Sequence, residues 1–278
     1  MARQPWAYIL VLGQFRQSSN IAALQYTAES PRVIPMANSR DTFCSDFLQF
    51  LALLHITLCR LVRDRIMLNI SLRSQLQTYL RNIRRPVELI VSQGGGQTSH
   101  EMLAMLNEIA SLTDLVTVAE EPQGGERKPS FSIRQVGAKA GIQFAATPTG
   151  PEFSSLVLAI LQVGGHPVIA DRTTIEQIRM LERDYYFETY ISLSCGSCVD
   201  VVQALNMMAV INPRIHNVTI DGGIFQSEVS ARDISVVPTI YMNGEIFGEG
   251  RSSFAELGAK LHDIEMSMRA ALRAARGP

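Results

Sequence analysis

The run Phe187-Glu188-Thr189-Tyr190-Ile191-Ser192-Leu193-Ser194-Cys195-Gly196-Ser197-Cys198-Val199-Asp200-Val201-Val202-Gln203-Ala204-Leu205 decides how this chain is read. Residues 187–193 are rich in aromatic and β-branched side chains, the composition of a strand. From Val199 the apolar positions continue as a helix to residue 211, and Pro213 ends it. Two cysteines therefore fall at a strand-to-helix junction, with two residues between them. That spacing brings both thiols to bonding distance within one turn and seats the first sulfur over the free N–H groups of the helix start. Those donors and the positive end of the helix dipole stabilise a thiolate, lowering its pKa from about 8.5 towards about 4–7. Cys195, ahead of the helix, is the expected nucleophile, and Cys198, a turn inside, the expected resolving thiol. Gly196 and Ser197 are small and uncharged and do not tune the pair strongly. The alternative is an inert reduced pair in a core; a Cys-x-x-Cys within a βαβ pattern favours the redox reading.

Downstream, residues 217–220 read as a strand, 225–232 as a short helix, and Pro238 introduces a strand over 239–242. Asn243-Gly244 is a hairpin signal joining it to residues 245–248. Ser252 and Ser253 cap a helix running to about residue 264, and a connecting helix over 173–183 precedes the strand at 187. Pro238, if cis, sets the preceding backbone beside the sulfurs, where it can pair with an extended partner segment. Val237 and Pro238 are thus the expected substrate-binding residues.

Upstream the same order occurs without cysteines. Leu68, Leu72, Leu76, Tyr79, Leu80 and Ile83 recur at helical spacing, ending before Pro86. Residues 87–91 form a strand, Gly94-Gly95-Gly96-Gln97 a turn, and Met102, Leu103, Leu106, Ile109 and Leu112 one side of a helix. A strand over 116–119 and a polar loop lead to Pro129, which opens strands over 131–135 and 142–145. A closing helix over about 152–163 stops at Gly164-Gly165 and Pro167. Pro129 corresponds to Pro238, and the glycine turn to the cysteine turn. The expectation is an α/β tandem fold with one active copy.

Composition narrows the function classes. Of 278 residues 46% are hydrophobic and 18% charged, which excludes disorder of the whole chain. Lys+Arg 25 against Asp+Glu 26 gives no electrostatic case for nucleic acid or an anionic membrane. Four cysteines are too few for a disulfide scaffold, and the isolated Cys44 and Cys59 supply no second pair for zinc, so no metal is expected. Residues 1–66 carry seven arginines against four acids. Their apolar run over 47–62 contains Gln49, His55, Thr57 and Arg60, too short and too polar to cross a bilayer. The opening residues have a faint look of a signal peptide without a clean cleavage site. Residues 1–66 are expected to be a poorly ordered extension or upstream sequence read from an early start codon, with Met67 the natural start.

Taken together these residues resemble a known family. Phe187-Glu188-Thr189-Tyr190, Ser194-Cys195, the run from Asp200 to Asn206, Ile220-Asp221-Gly222-Gly223, Val237-Pro238 and Asn243-Gly244 are similar to the N-terminal module of the F component of bacterial alkyl hydroperoxide reductase. So are Arg127-Lys128-Pro129-Ser130-Phe131, the run from Glu152 to Ala159, and Gly164-Gly165-His166-Pro167. The resemblance implies α/β architecture: two fused thioredoxin-like folds, a mixed central sheet flanked by helices, only the second with a redox dithiol. The expected division is an extension (1–66), a fold without cysteines (67–167), a fold with the Cys-x-x-Cys (168–264), and the start of a linker (265–278). It implies a relay in which NADH reduces FAD, FAD a flavoprotein dithiol, that dithiol Cys195–Cys198, and this pair a peroxiredoxin that destroys hydroperoxides.

The resemblance also places a glutamate matching Glu152 near the dithiol, managing its protons; read from the residues alone, Glu152 is a helix-start acid favouring the dipole. The pair between the cysteines differs from the family's usual one, and Val199 replaces a common proline. No G-x-G-x-x-G occurs, so this chain is expected to bind neither FAD nor NADH, being either a truncated product or a free-standing relay supplied in trans. A cytoplasmic location follows, with room for a homodimer in the full-length form. The other readings are a general protein disulfide reductase or isomerase of tandem thioredoxin type, and a non-catalytic docking module. His100, His166, His216 and His262 receive no role.

Overall fold

A computed structural model describes Leu68, residues 70–121 and residues 125–276. The expectations for residues 1–66 and for Met67 lie outside these. The first half comprises α1 (Ile70–Leu80), β1 (Val87–Ser92), α2 (Gly96–Ala110), β2 (Val116–Glu120), β3 (Ser130–Gln135), β4 (Ile142–Ala145), a 3-10 turn (Gly150–Glu152) and α3 (Phe153–Val163). The second comprises α4 (Arg172–Arg179), β5 (Tyr185–Ile191), α5 (Cys198–Ile211), β6 (Ile215–Asp221), α6 (Gln226–Ala231), β7 (Thr239–Met242), β8 (Glu245–Glu249) and α7 (Phe254–Arg276).

Each half builds the same four strands. In the first, β2 and β1 are parallel and β1, β3 and β4 antiparallel. In the second, β6 and β5 are parallel and β5, β7 and β8 antiparallel. What periodicity did not reveal is the join: β4 pairs in parallel with β6, from Ile142 opposite Asn217 to Ala145 opposite Ile220. The result is one eight-stranded mixed sheet in the order β2-β1-β3-β4-β6-β5-β7-β8.

One sheet face carries the main core. Tyr185, Phe187 and Ile191 of β5 point into it, against Val201, Leu205 and Met208 of α5 and Leu257 and Leu261 of α7. A buried polar ladder crosses the same face: Thr189 donates to Asn217 Oδ1 (2.9 Å), and Asn217 to Asn206 Oδ1 (2.8 Å). On the other face Ala145, Tyr190, Ile220 and Tyr241 form a small second cluster beneath Phe225, Val229 and Ile234. The alternation of strand side chains sorts residues between these faces.

Helix α3 is apolar almost all round, and every residue from Phe153 to Gln162 is buried. It packs on both β3 and α5, so the helix that closes the first half also walls the second. The connecting helix is shorter than expected: Asp171 caps its start through Thr174 N–H (2.8 Å), and Asn212 Nδ2 donates to the carbonyls of Ile178 in its last turn (2.8 Å) and of Leu181 just beyond it (3.0 Å). The final helix, expected to stop near residue 264, runs to Arg276. The reason is Glu265, only 1% exposed, which accepts hydrogen bonds from Tyr185 Oη and from Arg269 Nε, the latter at 2.7 Å. Among the described residues no helix is long and apolar enough to cross a membrane.

The glycine turn of the first half has a steric cause. A Cβ on Gly94 would lie 2.8 Å from the Lys128 carbonyl carbon, against backbone that cannot yield cheaply. Gly94→Ala should therefore cost about 1–3 kcal/mol. Urea unfolding is expected to show a lower midpoint at unchanged slope; an unaltered midpoint would mean the close approach is not real.

Candidate functional site

Strand β5 ends at Ile191, and the chain turns through Ser192, Leu193 and Ser194, with Cys195 N–H donating to Ser192 O at 2.9 Å. Cys195 and Cys198 are joined by a disulfide, their Cα atoms 5.5 Å apart. The two sulfurs are not equivalent. Cys198 opens α5 and is fully buried, whereas Cys195 precedes the helix, is partly exposed, and adjoins the open Gly196. Ser197, at the cap position of α5, makes no side-chain capping hydrogen bond. Its hydroxyl instead lies 3.4 Å from Cys195 Sγ.

The Val237–Pro238 bond is cis, and the Val237 carbonyl oxygen lies 3.9 Å from Cys195 Sγ. Val236, adjacent in the chain, is exposed. Lys128–Pro129 is also cis, and there Gly94 occupies the space beside the proline loop. The correspondence of Pro129 with Pro238 is thus a correspondence of backbone geometry, with room for a thiol on one side only.

Glu152 comes from the first half. The 3-10 turn that carries it packs on α5, and Ser154 just beyond accepts from Gln203 of that helix at 3.2 Å. The Glu152 side chain is wholly buried, and neither carboxyl oxygen has a hydrogen-bond partner. Burial raises its pKa to about 7, and the negative Asp200 in the first turn of α5 adds to this. The Ser155 hydroxyl pulls the other way, though it makes no hydrogen bond of good geometry. A helix-start acid acting on the dipole should be solvated and fully ionised at neutral pH; Glu152 is buried and holds its proton up to about pH 7. Asp200 itself pairs with Arg251 at 2.9 Å.

Two features escaped the sequence reading. Asp221, opposite Ile191 at the end of β6, is buried; burial raises its pKa, opposed by the Gly223 N–H at 2.9 Å. Arg127, just ahead of the first proline loop, bonds Glu228 and Glu188 of the second half. A charged residue in the middle of strand β5 was the available sign of the latter.

The glycine-rich strand-to-helix turn of the first half does not fit the dinucleotide fingerprint. The glycine-rich turn at β1–α2 has Ser99 where the fingerprint needs its third glycine, and the Gly94 N–H is already spent on Ser99 Oγ at 3.0 Å. Among the described residues no three His, Cys, Asp or Glu side chains gather to hold a metal.

The F component of the alkyl hydroperoxide reductase of Pseudomonas putida is 51% identical over 195 residues, 70% of this chain and 37% of that protein. The solved N-terminal domain of the Enterococcus faecalis V583 reductase superposes with a TM-score of 0.65 at 27% identity, over 70% of this chain and 99% of that one. The chain carries the N-terminal module of the alkyl hydroperoxide reductase F-component family. A protein disulfide oxidoreductase from Aeropyrum pernix K1, 19% identical with a TM-score of 0.62 over 72% of this chain and 94% of that one, shares the fold. No family model matches. This chain spans 37% of the length of the Pseudomonas putida relative. The module is thus a pair of thioredoxin-like folds sharing one sheet, with the disulfide-linked Cys-x-x-Cys in the second.

Glu152 yields a stability test. Its carboxyl keeps its proton in the folded chain up to about pH 7, against 4.5 ordinarily, so stability falls as pH rises through that window. Glu152→Gln should remove this share of the slope and make the oxidised module more stable than wild type above the window by about 3 kcal/mol. Chemical denaturation at a series of pH values checks this; parallel curves for the two proteins would refute it.

Proposed function

We propose that this chain is a thiol–disulfide electron relay that reduces a peroxiredoxin, so supporting hydroperoxide detoxification. The observation that carries the proposal is the unequal pair: one sulfur reachable beside the Val237 carbonyl, the other sealed at the start of α5. In the reduced module, the Cys195 thiolate attacks the acceptor's disulfide, forming a mixed disulfide and releasing one acceptor thiolate. Cys198 then loses its proton and attacks Cys195 Sγ, which closes the Cys195–Cys198 disulfide and releases the second acceptor thiolate. Two electrons have passed to the acceptor.

Glu152 is the proposed station for the proton that Cys198 must lose. A carboxyl with pKa about 7 can accept and return a proton at neutral pH, which an ordinary glutamate at 4.5 does poorly. Val237 and Pro238 are the proposed docking backbone, since an extended segment pairing with Val237 would set its sulfur against Cys195. The dithiol of a flavoprotein returns the electrons by the same exchange run backwards. FAD and NADH are held in that flavoprotein part, and the whole works in the cytoplasm, with the full-length form a homodimer.

A general protein disulfide reductase would use the same sulfurs, and the acceptor discriminates between the two. Pre-reduced module should reduce a peroxiredoxin disulfide far faster than insulin; the reverse order favours the general reductase. Cys195→Ser should abolish transfer, and Cys198→Ser should stop at a mixed disulfide visible by non-reducing electrophoresis. Full transfer by the Cys195→Ser protein would defeat the relay altogether.

A further inference from the structure

Resting on the exchange reading above, we infer that Arg127 of the cysteine-less half is a positioning residue for the loop on which the acceptor docks. Its Nε lies 2.9 Å from both Glu228 oxygens and its Nη2 2.7 Å from Glu228 Oε2, a forked pairing across 101 residues of sequence. The same Nη2 also donates to Glu188 of β5. Glu188 pairs in turn with Arg232 (2.7 Å), and Tyr190 Oη donates to Glu228 (2.7 Å). The Arg232 guanidinium lies over the ring of Tyr241 at 4.3 Å and near that of Tyr190 at 5.3 Å. Two guanidiniums, two carboxylates and two phenols thus close one network across the seam.

The network's position gives it a role. Glu228 lies on α6, and Arg232 is the residue that ends it. From Arg232 the chain passes through Asp233, at φ 51°, to Val237 and its carbonyl beside Cys195 Sγ. The loop is pinned by Ile234 N–H to Val229 O (3.0 Å) and by Thr239 Oγ1 to Val236 O (2.6 Å). Removing Arg127 leaves Glu188 and Glu228 with Arg232 as their remaining cation among the described residues, and loosens α6 with the loop that follows. The sulfurs, held by the turn after β5 and by the start of α5, keep their packing. Arg127 therefore acts on where the acceptor's backbone is received, not on the exchange at sulfur. Lysine keeps the charge but not the fork, and should restore the function only in part.

The test compares wild type with Arg127→Gln and Arg127→Lys, each pre-reduced, in single-turnover reduction of a peroxiredoxin disulfide and of a small aromatic disulfide reagent. Arg127→Gln should raise the half-saturating peroxiredoxin concentration about tenfold with a limiting rate within about twofold of wild type. Its rate with the small reagent should stay within about twofold, and Arg127→Lys should fall between. Hydrogen exchange of the oxidised proteins should show faster exchange over residues 226–238 in Arg127→Gln, with residues 198–211 unchanged. Unchanged half-saturation, an equal loss with the small reagent, or exchange that rises equally throughout would overturn the inference. If wild type itself fails to reduce the peroxiredoxin, the relay reading falls, and the exchange over 226–238 still decides whether Arg127 holds the loop.

Discussion

The parallel pairing of β4 with β6 is the constraint on which the rest depends. It makes two four-strand folds into one sheet and fixes the exit of β4, so that the following turn and α3 press against α5. Glu152 enters the neighbouring half only because of that join. A carboxyl on a free-standing first half would face water and ionise as usual; sealed against α5, it keeps its proton to about pH 7. The half that lacks the thiols is not filler, since it supplies a proton-binding group on the core side of the sheet and Arg127 on the other.

The dithiol follows from the same economy of position. Both cysteines lie within one turn, yet the helix start divides them, leaving Cys195 partly exposed and Cys198 buried. Such an arrangement makes the order of events a matter of access. The backbone before Pro238 completes it by closing one side of the exposed sulfur. In the first half the corresponding backbone is approached by Gly94 so closely that no side chain fits, so that turn lacks the room for a thiol as well as the thiol.

Much of this was legible in the chain. Proline and glycine punctuation located both hairpins, with residues 239–242 and 142–145 matching β7 and β4. The Cys-x-x-Cys fell at its strand–helix junction because short-range spacing alone sets that geometry. What could not be read depends on distant partners. The β4–β6 join leaves no mark in either strand: β4 is a short run broken by Gln143, and β6 mixes apolar Ile215, Val218 and Ile220 with polar His216, Asn217, Thr219 and Asp221, and neither pattern names a partner strand. The extension of the last helix beyond residue 264 is due to Tyr185 and Glu265, 80 residues apart. Glu152 looks like any helix-start acid until its burial is seen, and the Arg127 network spans 101 positions with no local signature beyond a glutamate inside a strand.

The relay stands most directly on the difference between two neighbouring sulfurs. Brief treatment of the reduced protein with substoichiometric iodoacetamide, followed by peptide mass mapping, measures that difference. The label should fall on Cys195 while Cys198 stays unmodified, and oxidation of the unlabelled protein should give the intramolecular disulfide. Equal labelling of both positions, or preferential labelling of Cys198, would contradict it.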